Sequence, residues 1–202
     1  MIKRFVLGEI GTNCYIVNEN KNAFIVDPGD EDKEVLEYIK TNNLKVKFIL
    51  LTHTHIDHVL GVNFFKEEFK IPVFASVDAK LIYDDSNYNL NYQFGKYNYK
   101  VIIDDFLKDG DELSSFSIKA LSTPGHSLDS MSFVYDNNIF VGDTIFRLSI
   151  GRTDFPGGNF TKIKKSINEK ILVNSDTTIL YPGHGELTSV GFERKNNPFL
   201  KR

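Results

Sequence analysis

Apolar positions along the chain come in short bursts separated by polar turns. Cys14-Tyr15-Ile16-Val17 and Ala23-Phe24-Ile25-Val26 are β-branched and aromatic runs split by the polar stretch Asn18–Asn22, which predicts two strands. Asp27-Pro28-Gly29-Asp30 ends the second run with a turn. Over residues 31–42 the period changes: Val35, Leu36 and Ile39 fall on one helical stripe behind an acid-rich first turn. Val46–Thr52 is a largely apolar run, the mark of a strand buried on both faces. Val62, Phe65 and Phe69 then repeat at helical spacing, and Pro72-Val73-Phe74 predicts another short strand. Asp84–Lys100 is dense in asparagine and tyrosine and carries no period, which predicts a long loop. Several short strands follow over about 101–142, with turns at Asp109-Gly110-Asp111 and Asp136-Asn137-Asn138. Ile163, Ile167 and Ile171 align within a helix expected over Phe160–Val173, and Thr177–Tyr181 predicts a final strand.

This order, strands with helices interspersed, predicts sheets in the centre and helices outside. The 202 residues suit a single domain spanning 1–202, with no fixed-period repeat and no linker. Hydrophobic residues at 41% and charged residues at 25% match an ordinary globular chain. A net charge of -3 argues against a nucleic-acid partner held by bulk electrostatics. No apolar run approaches the roughly 18 residues that a spanning helix needs, so no membrane partner is expected. The N-terminal apolar stretch is too short for a signal peptide, and the single cysteine, Cys14, excludes an internal disulfide framework. Both points suggest a cytoplasmic location. Cys14 lies inside an expected strand and reads as a small buried apolar residue.

The candidate chemistry lies in where the histidines fall. There are five: His53, His55 and His58 sit close together, while His126 and His184 each close a Pro-Gly-His turn. Aspartates are interleaved with them, and each histidine motif follows an expected strand, where loops mount chemistry on a rigid frame. In Thr52-His53-Thr54-His55-Ile56-Asp57-His58, alternate residues of an extended chain face one side, so His53 and His55 can grip one ion. Asp57 and His58 are consecutive and need the following chain turn to converge on a second. Imidazole and carboxylate donors suit zinc, iron or manganese, and no thiolate is near that would signal a cysteine-rich structural zinc site.

The motif His53-Thr54-His55-Ile56-Asp57-His58 resembles the metal signature of the metallo-β-lactamase-fold hydrolases. Thr123-Pro124-Gly125-His126-Ser127, Val141-Gly142-Asp143-Thr144 and Pro182-Gly183-His184-Gly185 resemble that family's next three motifs, in the right order. Ser149–Gly158 and the tail Asn197-Pro198-Phe199-Leu200 look like the short bacterial glyoxalase II branch, the hydroxyacylglutathione hydrolases. The resemblance implies an α+β fold, the four-layer αββα sandwich: two facing mixed β-sheets with helices on the outer faces. It implies two divalent metal ions, zinc first with iron or manganese as alternatives. His53, His55 and His126 would hold the first ion, Asp57, His58 and His184 the second, and Asp143 would bridge them. The implied reaction is hydrolysis of a small-molecule acyl thioester, with Asp57 both a ligand and the acceptor that orients the attacking water.

Two departures qualify this expectation. Asp129 stands where family members often have glycine, and reads either as a surface turn residue or as one that narrows the pocket. The expected chain also lacks the C-terminal helical domain with which glyoxalase II binds glutathione, so little demand on the thiol half is expected. Arg152 reads either as a partner for a substrate carboxylate or as an internal pair with Asp154. Asp27 reads either as a support for a metal-binding histidine or as a turn residue. The loop over residues 83–99 reads as a lid, with Tyr88, Tyr92, Phe94 and Tyr97 lining an acyl pocket, or as a plain surface loop. The rival enzyme is a mononuclear iron persulfide dioxygenase, which shares Gly151-Arg152-Thr153-Asp154 and would use His53, His126 and Asp143. Aspartate at 143 disfavours a zinc β-lactamase, which usually carries cysteine there, and His55 disfavours the flavin-partnered di-iron reductases.

Overall fold

The structure is a computed structural model that describes residues 1–96 and 98–201. Strands β1 (Ile2–Leu7), β2 (Thr12–Glu19), β3 (Asn22–Val26), β4 (Lys45–Leu50), β5 (Val73–Ser76) and β6 (Asp105–Leu107) form one sheet in sequence order. β1 to β3 are antiparallel neighbours, and β3 to β6 run parallel. Parallel pairing needs crossovers. These include α1 (Lys33–Thr41) between β3 and β4, and the single turn α2 (Ile56–Val59) followed by α3 (Val62–Phe69) between β4 and β5. The second sheet has the order β14-β13-β10-β9-β8-β7. Its strands are β7 (Glu112–Leu113), β8 (Ile118–Ser122), β9 (Met131–Tyr135), β10 (Asn138–Gly142), β13 (Ile179–Pro182) and β14 (Thr188–Ser189). A small ribbon, β11 (Ile145–Phe146) and β12 (Ser149–Ile150), precedes α4 (Phe160–Ser166), and α5 (Val190–Asn196) follows β14.

Strand alternation sorts the runs of the sequence into layers. In β2, Tyr15 and Val17 point between the sheets while Cys14 and Ile16 point to the layer of α1 and α3. In β3, Phe24 and Val26 face the second sheet, and Ala23 and Ile25 face outward. The continuous apolar runs are therefore strands with two buried faces. The inter-sheet layer is aromatic: the Phe24 ring centroid lies 5.0 Å from that of Phe116 and 5.5 Å from that of Phe48. On the far face of the second sheet, Ile139, Val141 and Leu180 meet Ile163, Ile167 and Ile171 from the α4 segment. Helix, sheet, sheet and helix thus stack in four layers, as expected.

Element ends follow local chemistry. The Asp32 carboxylate caps α1 by accepting from Val35 N–H at 2.9 Å. The helix expected over Phe160–Val173 is α-helical only to Ser166, and Ile167–Ile171 forms a wider turn with i→i+5 bonding. Three isoleucines spaced by four over-rotate on a 3.6-residue helix, and the wider turn keeps Ile167 and Ile171 on the face that Ile163 buries. α5 has no counterpart in the periodicity. It starts at the Ser189 cap and buries Val190 and Glu193.

The segment Asp84–Lys100 forms successive turns with neither strand nor helix among its described residues, and Tyr97 lies outside them. Its asparagines explain its composition, because they satisfy backbone groups that a loop leaves open. The Asn89 amide donates to Tyr83 O, and the Asn91 amide donates to Tyr99 O. Asn89 O accepts from Ile56 N–H at 2.8 Å, so the loop props the first residue of α2.

Candidate metal centre

The ends of β4, β8, β10 and β13 open onto one edge of the sandwich, and the histidine motifs follow them. His53 and His55 leave β4 extended, and His55 flanks α2, whose one turn brings Asp57 and His58 back toward them. His126 follows β8, Asp143 follows β10, and His184 follows β13. Three overlapping groups of donors result: His53, His55 and His126; His53, His58 and Asp143; and Asp57, His58 and His184. Within each group the nearest donor atoms lie within 4.8 Å of one another. His126 Nε2 and His55 Nδ1 stand 2.9 Å apart, and Asp57 Oδ2 is 3.1 Å from His184 Nε2 and 3.3 Å from His58 Nε2.

The surroundings fix three imidazoles in one tautomer. The Thr52 hydroxyl donates to Asp27 Oδ2 at 2.6 Å, so it can only accept from His53 Nδ1–H at 3.1 Å. Asp27 also accepts from His58 Nδ1–H at 2.9 Å. His126 Nδ1–H donates to Arg152 O at 2.8 Å. Each of these rings therefore turns its Nε2 inward, the nitrogen that would bind a metal once it carries no proton. His53 Nε2, His55 Nε2, His58 Nε2 and Asp143 Oδ1 are buried and have no hydrogen-bond partner. Three of these, His53 Nε2, His58 Nε2 and Asp143 Oδ1, belong to one donor group, and a cation shared among them would supply the missing partner.

Charge agrees. Burial alone would lower His58, but Asp57, Asp143 and Asp27 outweigh it and raise the imidazole well above its usual value. Burial alone would likewise raise Asp57 and Asp143, yet the neighbouring imidazoles, His58 first, hold both carboxylates below their usual range. His55, dominated by burial, falls to about 3 and stays neutral, as a ligand must. The donor set thus combines imidazole nitrogens with carboxylates that stay ionised, which suits a divalent cation.

Residues outside the histidine motifs build the frame. Asp27 adopts φ +48°, an uncommon backbone for a residue with a Cβ, and this aims its carboxylate at Thr52 N–H, Thr52 Oγ1 and His58. Of its two sequence readings, support for a metal-binding histidine is the one its contacts match. Thr12 donates to Asp57 Oδ2 at 2.9 Å. The Asn13 amide donates to Pro182 O and Gly185 O, which pins the turn carrying His184 onto the first sheet. Gly183 fits tightly there, since a Cβ on it would meet Asp143 Oδ1 at 2.2 Å. Thr12 and Asn13 escape sequence reasoning because nothing local marks them. They are polar residues opening an apolar strand, and their partners lie far along the chain.

Arg152 forms a two-pronged ion pair with Asp154 and lies over the Phe155 ring, 4.0 Å from its centroid; that ring packs against His55. Asp129 is fully buried rather than a surface turn residue, because hydroxyl groups of Thr54 and Ser127 compensate its carboxylate. A cavity of about 610 Å³ opens beside Asp57, with Leu7, Ile10, Ile56, Leu60, Phe94 and Tyr99 among its walls. Tyr88 approaches Gly157, and Tyr92 is exposed. Among the described residues no helix is long and apolar enough to cross a membrane.

Known proteins resemble this chain in sequence and fold. Residues 7–184 match the model of the metallo-beta-lactamase superfamily. Hydroxyacylglutathione hydrolase GloC of Haemophilus influenzae is 34% identical over 195 residues, covering 93% of this chain and 92% of that protein. The crystal structure of BLEG-1 B3 metallo-beta-lactamase superposes with a TM-score of 0.93 at 35% identity, covering 100% of each chain. A di-iron-bound form of TTHA1623 gives a TM-score of 0.89 at 32% identity, covering 98% of this chain and 100% of that one. With the layers, the donor cluster and the family match in agreement, the chain belongs to the metallo-beta-lactamase superfamily.

Proposed function

We propose that the protein is a dinuclear metal-dependent hydrolase of small acyl thioesters, glyoxalase II-like. The observation that carries this reading is the convergence of seven donors, three of them imidazoles held at Nδ1 with Nε2 turned inward. His53, His55 and His126 would hold one ion, Asp57, His58 and His184 the other, and Asp143 faces both groups. Zinc is the first choice, and the di-iron form of TTHA1623 keeps iron in view. Divalent ions at such a site lower the pKa of water and polarise the carbonyl under attack.

The chain's own residues supply the rest. Asp57 stays ionised, held by Thr12 and His184, and its carboxylate borders the cavity where it can orient the attacking water. The cavity, whose wall mixes apolar Ile10, Leu60 and Phe94 with charged Glu9, Glu31 and Lys96, receives the organic part of the substrate. The thioester class is carried over from GloC, the hydroxyacylglutathione hydrolase. The mononuclear persulfide dioxygenase would leave Asp57, His58 and His184 without a task, and their grouping favours the dinuclear reading.

The test is metal analysis of supplemented protein, paired with assays on lactoyl-glutathione and on a persulfide. Two ions per chain and thiol release, lost in Asp57→Ala, are expected. One ion, no thiol release and oxygen-dependent sulfite formation would hand the assignment to the dioxygenase.

A further inference from the structure

We propose that Asp129 is a positioning residue that braces the two loops carrying His53, His55 and His126, and so sets the affinity of that donor group for its metal. The inference rests on reading these three histidines as ligands. His53 and His55 come from the first sheet and His126 from the second, so no single loop fixes their spacing. Thr54 lies between His53 and His55, and Ser127 follows His126. Asp129 Oδ2 accepts from the Thr54 hydroxyl at 2.7 Å, and Oδ1 accepts from the Ser127 hydroxyl at 2.7 Å. Its two oxygens thus tie one loop to the other across the sheet interface.

Thr54, Ser127 and Asp129 are all nearly or wholly buried. A buried carboxylate is costly unless it is well bonded, so this one acts as a stiff link rather than a solvated turn. The Ser130 hydroxyl extends the link: it lies 2.7 Å from Ser127 Oγ and accepts from Ser127 N–H at 3.1 Å. On the far side of the gap, His55 Nδ1 and His126 Nε2 stand 2.9 Å apart, within hydrogen-bond reach of each other, so the two rings that would share an ion already face one another. Asp129 touches none of the ligands, and its effect passes through Thr54 and Ser127.

The test uses the full chain, stripped of metal and titrated with cobalt(II) against a competing chelator, with the visible absorption of the bound cobalt recorded. His55→Ala identifies which binding step belongs to the first group. Asp129→Ala and Thr54→Val should weaken that step about 10- to 100-fold and alter its absorption band, and leave the other step unchanged. Thr54→Ser keeps the hydroxyl and should restore wild-type binding. Unchanged affinity in both variants would overturn the brace. So would equal losses at both steps, or Thr54→Ser behaving like Thr54→Val. If Asp129→Ala fails to fold, the Thr54 pair decides. Wild-type protein that takes up no cobalt would overturn the metal reading itself, and the brace with it.

Discussion

His58 shows how a single residue takes its character from three neighbours, one beside it in the chain and two far along it. Asp57, Asp143 and Asp27 surround it and favour its charged form in the metal-free protein. A histidine raised in the folded state adds stability below its unfolded value near 6.5, and that stability is lost as pH rises through the folded value. His58→Gln removes the contribution. Urea unfolding in excess chelator should therefore show a deficit for this variant that is largest near pH 6 and shrinks as pH is raised. A deficit that grows with pH would contradict the arrangement. His55 behaves in the opposite sense. Its folded value of about 3 means that its contribution is lost as pH falls from 6.5 toward 3.

Among the elements, α5 ties several segments together through one buried side chain. Glu193 is buried and accepts from Leu148 N–H, the Thr188 hydroxyl and the Asn197 amide, and Asn197 in turn donates to Ser149 O. The helix thereby anchors the β11–β12 turn, where Leu148 takes φ +60°. Downstream of that turn lies Arg152, whose carbonyl orients His126. Glu193→Ala orphans three donors and should cost about 3 kcal/mol in chemical unfolding. Glu193→Gln keeps an oxygen for Leu148 and Asn197 and should lose much less. The helical periodicity of α1, α3 and α4 was legible because each buries one stripe. α5 was not, because its buried face centres on a glutamate.

For the molecule as a whole, the aromatic layer between the sheets holds the site together. Donors come from loops of both sheets, so any change in sheet spacing moves them apart. Phe24 contacts Phe48, Phe116, Tyr135 and Phe140 in that layer. Phe24→Ala should lower the free energy of unfolding by about 3–5 kcal/mol with an unchanged denaturant slope. A cost below 1 kcal/mol would mean that the layer is not packed as described.

By itself the sequence determined that sheets lie inside and helices outside, the strand runs and the metal-binding residue types. Those properties are local: alternation, period and the chemistry of His and Asp are written in neighbouring positions. Tertiary structure decided what brings the seven together. Asp27 gains its role from a left-handed backbone and from contacts with Thr52 and His58, more than twenty residues away. Asn13 meets Pro182 and Gly185, and Asp129 meets Thr54, only after the sheets have packed. The tautomers of His53, His58 and His126 follow from partners on three separate segments. Hydrogen bonds between distant segments leave no periodic trace in the chain, and only the fold places their donors and acceptors within reach.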